Sequence, residues 1–389
     1  MEELYRPARA VTRGPKGHWF GYYDKFPWDA SGRYLTCLEV PFKGIRSPLP
    51  DDAVTIGLID TQADNAWTPI AQTRAWCWQQ STMLHWLPTA PDCEILYNTV
   101  NERSDGFVAT VRNVFSGDTR TLPRPVYAMT LDGTKAVSID FERTGRLRPG
   151  YGYVSAPDLT QGDPHPANSG VWMMDLTTGD HDLIITIEQA AALNHDERMD
   201  GAEHWFNHLQ FNTDGTRFLF LHRWSKPQKG WFTRLLTANL DGSDLRIVND
   251  DDMTSHFDWR DATHILAWAR QHDRGDHYYL FTDGTDQADI VGDGALWTDG
   301  HCTYAPDRRW FLTDTYPDRE RMRHLLLFRP ADERLVEIGK FHEPTDFNGE
   351  WRCDLHGRWS RDGKQICFDS VQSGERQLYV IDVADIVAT

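Results

Sequence analysis

Cysteine is scarce in this chain of 389 residues, and its six copies are poorly placed for cross-linking. Cys37, Cys77, Cys93, Cys302, Cys353 and Cys367 form no CxxC pair and no regular framework, which argues against a thiolate zinc site or a disulfide scaffold and fits reduced thiols. No apolar run approaches the roughly 20 residues that span a bilayer. The opening segment, MEELYRPARAVTRGPKGHWFGYYDK, lacks the apolar stretch of an export signal. Positive charge is in deficit, with 40 Lys and Arg against 58 Asp and Glu, a formal net charge of −18. Such a polyanion repels nucleic acid and anionic membrane surfaces, so neither is an expected partner. An anionic small substrate stays admissible, because a local group of arginines overrides the global field. A soluble, acidic, cytoplasmic protein is expected, and its oligomeric state is not legible.

Linkers, low-complexity tracts and helix signals are missing as well; only TIEQAAALNHDE (186–197) reads as a helix. What is present is a repeat. A turn followed by an apolar strand recurs as DASGRYLTCLEV (29–40), APDCEILYNTV (90–100), LDGTKAVSIDF (131–141), NTDGTRFLFLHRW (212–224), RDATHILAWAR (260–270), APDRRWFLTDT (305–315) and SRDGKQICFDS (360–370). Each is followed by a second strand-like run, from VTIGLID (54–60) to LYVIDV (378–383). The D-G and G-D dipeptides tolerate positive φ and form hairpin turns, and the runs between them favour strands. Seven such pairs imply an all-β, seven-bladed β-propeller built as a single domain over 1–389. The longer gap after the third pair, around ERTGRLRPGYGYVSAPDLTQGDPHPAN, reads as an inserted loop at about 142–170. Propellers of several kinds share such turns, so the repeat alone names no function.

Four successive units begin with histidine: HLQF (208–211), HFDW (256–259), HCTY (301–304) and HGRW (356–359). In three of them the first acidic residue beyond the unit stands six places after the His; in HFDW it stands five places after, at Asp261. Each unit precedes a D-G-type turn and so belongs to the innermost strand of its blade. Equivalent positions on successive blades lie on one ring, which brings His208, His256, His301 and His356 to one mouth of the channel. Neutral imidazoles with a carboxylate bind divalent transition metals, and one left off the metal serves as a general base. In RCDLHGRW, strand alternation would put Asp354 and His356 on one face, able to hold one ion. His18 and His204 are lesser channel candidates, and Cys302 and Cys353 turn the other way, into the core. Trp19, Tyr22, Tyr23, Trp76, Trp78, Trp205 and Trp351 near the mouth suit sugar stacking. Asp24 and Lys25 of GYYDK either close the ring opposite the histidines or pair with each other.

With these segments in view, the chain resembles the oligogalacturonate lyases, seven-bladed propellers that depend on a divalent cation, typically manganese. GHWFGYYDKFPWDASGRYL is similar to that family's opening segment, FNHLQF to its Gly-His-Pro strand and TSHFDW to its Thr-His-Glu-Phe strand. DGHCTYAPDRRWFLTD resembles its Ser-His segment, and DLHGRWSRDGKQICFDS its closing His-rich segment. The resemblance implies β-elimination on a uronate oligosaccharide: a base takes the C5 proton, a cation and an Arg neutralise the C6 carboxylate, and the C4 oxygen leaves. Position by position, His256 matches the general base, Arg234 an Arg held beside it, and His301 and His356 two metal ligands. A third ligating His falls on Asp354. A ligating Gln falls on Trp351, which cannot replace it, and His208 is the expected substitute. RPGYGY (148–153) has no counterpart, and with Tyr127, Arg143 and Arg148 it is expected to shape the substrate pocket. The alternatives are a non-catalytic propeller that binds a sugar or a protein, and a metal-dependent hydrolase or isomerase.

Overall fold

The computed structural model describes residues 1–225 and 230–388, and it folds the chain into seven antiparallel sheets arranged as a β-propeller. In each sheet the chain runs from the inner strand outward, mostly through hairpins, so most neighbours in sequence are neighbours in space. The inner strands of the last four blades are Glu203–Phe211, Thr254–Trp259, Thr303–Tyr304 and Arg358–Trp359. These are the four histidine-led units. The ring closes by exchange of the chain ends: Arg9–Ala10 pairs with Gln377–Asp382 as the outer strand of the seventh blade. Glu2–Glu3 adds a parallel fifth strand to the sixth, against Arg334–His342.

The acidic residues that recur after each histidine belong to the turns. Asp214, Asp261, Asp307 and Asp362 each accept a backbone N–H two residues on, at 3.1, 3.0, 3.0 and 3.1 Å. An aspartate that closes its own turn fixes the hairpin register. Register in turn decides which side chains face a neighbouring blade. The core is accordingly a series of inter-blade layers: Leu219, Leu221 and Leu235 of the fourth blade pack on Phe257, Trp259 and Ile265 of the fifth. Trp19, Trp76, Trp78 and Trp205 are at most 1% exposed, and Tyr22 and Tyr23, at 3%, are closed off among the channel histidines, so they are packing residues and not sugar platforms.

Two local expectations change. The segment expected as a loop at about 142–170 starts with a helix, Phe141–Leu147, whose following chain folds back upon it. The return is possible because Gly145 and Gly152 meet backbone to backbone: a Cβ on Gly152 would lie 2.2 Å from the Gly145 nitrogen. The helix expected over 186–197 is shorter, Ile187–Ala192, opened by a capping box between Thr186 and Gln189. Asn194, in the left-handed region at φ 45°, carries the chain away just after the helix ends. No helix among the described residues is long and apolar enough to cross a membrane.

Gly300, just ahead of His301, is another close approach: a Cβ there would lie 1.7 Å from the Asp314 carbonyl oxygen. Gly300→Ala is expected to cost about 2–3 kcal/mol of stability, read from the denaturant midpoint. An unchanged midpoint would show that the sixth blade can part from its inner segment at no cost.

Candidate functional site

The four histidines stand where the inner strands break. Pairing slips between Asn207 and Gln210, around His208, and between Thr254 and Phe257, around His256. His301 and His356 precede their short strands altogether. His208 and His356 adopt positive φ, 56° and 44°, a strained conformation for a residue with a Cβ. Strand alternation therefore does not join Asp354 to His356, as the sequence suggested; a left-handed turn at His356 does. Bulges and strand ends of this kind re-aim side chains, here toward the channel mouth. Ring centroids lie 3.9 Å apart for His256 and His301, 4.2 Å for His301 and His356, and 6.1 Å for His208 and His256. Tyr22 and Tyr23, from GYYDK, fill the space between these rings. Asp24 and Lys25 pair with each other and line a separate cavity with Gln210 and Asp258.

His301, Asp354 and His356 present ligand atoms within 4.8 Å of one another, all buried. The two Nε2 atoms are 3.2 Å apart, and Asp354 Oδ2 is 3.9 Å from each. Asp314 orients the pair: it accepts the backbone N–H and Nδ1–H of His301 and the backbone N–H of His356. With Nδ1 donating, the Nε2 of His301 keeps a free lone pair. Burial would raise the Asp354 carboxyl, but Arg352 and Arg323 hold it far below the usual carboxylate range. Arg323 lies 2.8 Å from its Oδ1, and the Arg352 Nε–H also donates to Oδ1. Oδ2 is buried and lies 2.8 Å from the Arg352 Nε without a well-aligned hydrogen bond. Two imidazole nitrogens and this carboxylate oxygen fit a divalent cation of borderline character.

His208 is not in this group. Its ring nitrogens face the Tyr22 hydroxyl, at 2.7 and 3.0 Å, and burial, then the charge of Arg223, lowers its pKa well below the usual value. Trp351 supplies no ligand either; its indole N–H donates to the Asp346 carbonyl. His256 adjoins the cluster. Its Nδ1–H is held by Asp299 at 2.9 Å, which leaves Nε2 as the basic atom, and burial followed by His301 lowers its pKa. It is only 2% exposed.

The arginines fall differently from expectation. Arg234 is not held beside His256: its guanidinium donates to His222 Nδ1 and to the carbonyls of Ala190 and Leu193. The pleat is the reason, since Arg234 pairs with His222 on one face of the fourth blade while Arg223, one residue on, takes the other. Arg143 is no substrate contact, being buried and bonded to the carbonyls of Thr160, Asp163, Pro164 and His204, where it anchors the insertion. Tyr127 is also buried; its hydroxyl oxygen accepts the backbone N–H of His208, and its O–H donates to Gln80. Only Arg148, of the residues expected to bind substrate, reaches an open surface. It lines a basin of about 610 Å³ with Trp231, Tyr316, Glu350 and Arg352. Sequence reasoning missed Tyr316 and Arg352, while Tyr151 belongs to the RPGYGY segment it had singled out. The Tyr316 ring is 6.3 Å from that of His301, and the Tyr151 hydroxyl accepts from Arg352 at 2.6 Å.

No protein-family model matches the sequence, and no characterised protein matches it. Among solved structures, an oligogalacturonate lyase in complex with manganese is similar at a TM-score of 0.69, with 16% identity over 100% of this chain and 96% of that one. The oligogalacturonate lyase of Vibrio parahaemolyticus gives 0.66 at 12% identity, over 98% and 96%. The fold is that of the oligogalacturonate lyases. The β-propeller domain of the trilobed protease from Pyrococcus furiosus follows at 0.55 and 11% identity, over 94% and 96%. At these identities the likeness is one of architecture.

Away from the cluster, His204 and His222 hydrogen-bond each other in the interior. Burial pushes His204 down to about 4 and His222 well below its ordinary value. Both are neutral when folded, and the unfolded chain takes up protons first as pH falls below about 6.5. Stability present above that pH is therefore lost on acidification, by about 2 kcal/mol for His204 alone between pH 6.5 and 5. Urea midpoints at the two pH values read this directly, and an equal midpoint at pH 5 would contradict a neutral buried pair.

Proposed function

We propose that the protein is a divalent-metal-dependent lyase that cleaves uronate-containing oligosaccharides by β-elimination. The observation that carries this reading is a buried His301–Asp354–His356 group beside a neutral His256 at the channel mouth of an oligogalacturonate-lyase fold. His301, Asp354 and His356 would hold the cation, for which manganese is the first candidate, and when bound it supplies Lewis-acid polarisation of the sugar carboxylate. Arg352, on the basin wall and paired with Asp354, replaces Arg234 as the guanidinium that offsets charge building on that carboxylate. His256 takes the C5 proton on Nε2, while Asp299 holds Nδ1 and stabilises the imidazolium that results. The C–H electrons become the C4–C5 double bond as the bond from C4 to the glycosidic oxygen breaks. Burial, then Asp299, raises the Tyr316 hydroxyl well above its ordinary value, so it stays protonated and donates its proton to the leaving glycosidic oxygen.

The burial of His256 favours one competing reading, a propeller that binds sugar without cleaving it. Cleavage requires the floor of the basin above His256 to open. Two measurements separate the readings. Ultraviolet absorbance of the new double bond is expected to rise on incubation with oligogalacturonides and manganese, and to fall at least about 100-fold with His256→Ala. Binding of sugar with no absorbance change on any uronate would leave the non-catalytic reading. Calorimetric titration with manganese is expected to show at least about tenfold weaker binding for His301→Ala and Asp354→Asn, and no change for His208→Ala. A loss with His208→Ala equal to the others would return that residue to the ligand set.

A further inference from the structure

Buried arginines in this protein have partners, with one exception. Arg143, Arg234 and Arg376 donate to carbonyls, while Arg323 and Arg358 meet carboxylates. Arg223 is 6% exposed, its Nε is buried without a partner, and among the described residues its side chain makes no hydrogen bond or ion pair. Its nearest charge of consequence is another cation: burial, then Arg148, brings it down to about 10, so it remains protonated at neutral pH. Arg148 is in the same position. Its guanidinium lies between Tyr151 and Trp231, at 4.7 and 4.4 Å from the ring centroids, with no carboxylate among its partners and its own Nε buried and unbonded. An unpaired buried charge is costly, and more so with a second cation acting on it.

The pleat gathers other unsatisfied groups on this face of the fourth blade. Arg223 pairs with Thr233, and Ser225 with Trp231, which puts Arg223 and Trp231 on one side. Asn207, opposite Leu221, is on that side too; it is fully buried and neither atom of its amide is bonded. Trp231 is 51% exposed and forms the adjoining wall of the basin. Guanidinium groups without partners, an idle amide and an open aromatic face describe a site for a planar anion on a sugar-sized body. The site adjoins Arg352 and the His301–Asp354–His356 group through Tyr151, whose ring carries Arg148 and whose hydroxyl accepts from Arg352, and Arg148 belongs to RPGYGY, for which the sequence resemblance offers no counterpart.

We infer that Arg223 and Arg148 form a second carboxylate site, which takes the uronate adjoining the one that reacts, so that two consecutive uronates are selected over one. The choice of sugar rests on the lyase reading; the anion site does not. The test is calorimetric binding to the full-length protein carrying His256→Ala, which blocks turnover, with manganese present and with galacturonate and digalacturonate as probes. Digalacturonate is expected to bind at least tenfold tighter than galacturonate, and Arg148→Gln or Arg223→Gln to remove that advantage. Without ligand, Arg223→Gln is expected to unfold at a temperature about 2 °C higher or more, since it deletes an unpaired buried charge. Equal affinity for the two probes, or an advantage that survives both substitutions, overturns the inference, and so does a lower unfolding temperature for Arg223→Gln. Arginine-dependent binding of digalacturonate by a wild-type protein that forms no double bond would support the site while refuting the lyase.

Discussion

The candidate site depends on one buried carboxylate. Asp314 lies at the end of a middle strand of the sixth blade, and it accepts hydrogen bonds from the inner segments of both the sixth and the seventh. Burial alone would neutralise it, but the charge and hydrogen bonds of His301 outweigh that and keep its pKa below the ordinary value. One anion thus sets the tautomer of His301, fixes the left-handed turn at His356 and clamps two blades at their inner edge. The strain of an L-residue at φ 44° persists because the surrounding hydrogen bonds determine it. An isosteric amide at this position could not offer two carboxylate oxygens to three donors.

The blades and the histidine ring were legible because both rest on local rules applied seven times. A D-G turn needs nothing beyond its own residues, and equivalent positions in a closed ring meet by symmetry. What was not legible depends on parity or on distant segments. Arg223 and Arg234 both lie in middle strands of the fourth blade, and the pleat alone decides which of them shares a face with Trp231. No composition or spacing shows that Tyr22 and Tyr23, from the first blade, fill the channel between histidines of the last four. Asp354 and His356 are together, but through a turn that the i, i+2 pattern did not contain. The substrate-facing residues proposed together with RPGYGY divided in the same way: Arg148 reaches the basin, while Arg143 and Tyr127 spend their polar atoms on the scaffold.

The electrostatics of the molecule run against its surface. A chain of net charge −18 concentrates Arg148, Arg223, Arg323 and Arg352 at one channel mouth. Arg323 and Arg352 are balanced by Glu343 and Asp354, so Arg148 and Arg223 are the cations of this group left without a carboxylate, and their field runs against that of the surface. The acidic surface also discourages long polyanions, which must approach many negative blades at once, more than short ones.

The closure of the ring by its own ends carries a consequence for how the protein comes into being. Glu2–Glu3 and Arg9–Ala10 are made long before the strands they pair with, Arg334–His342 and Gln377–Asp382. The intervening blades form as the chain emerges, but the two blades that carry His301, Asp354 and His356 cannot complete their sheets until Arg334–His342 and Gln377–Asp382 have been made. The His301–Asp354–His356 geometry is therefore acquired late. A truncated or stalled product has most of a propeller and none of its site.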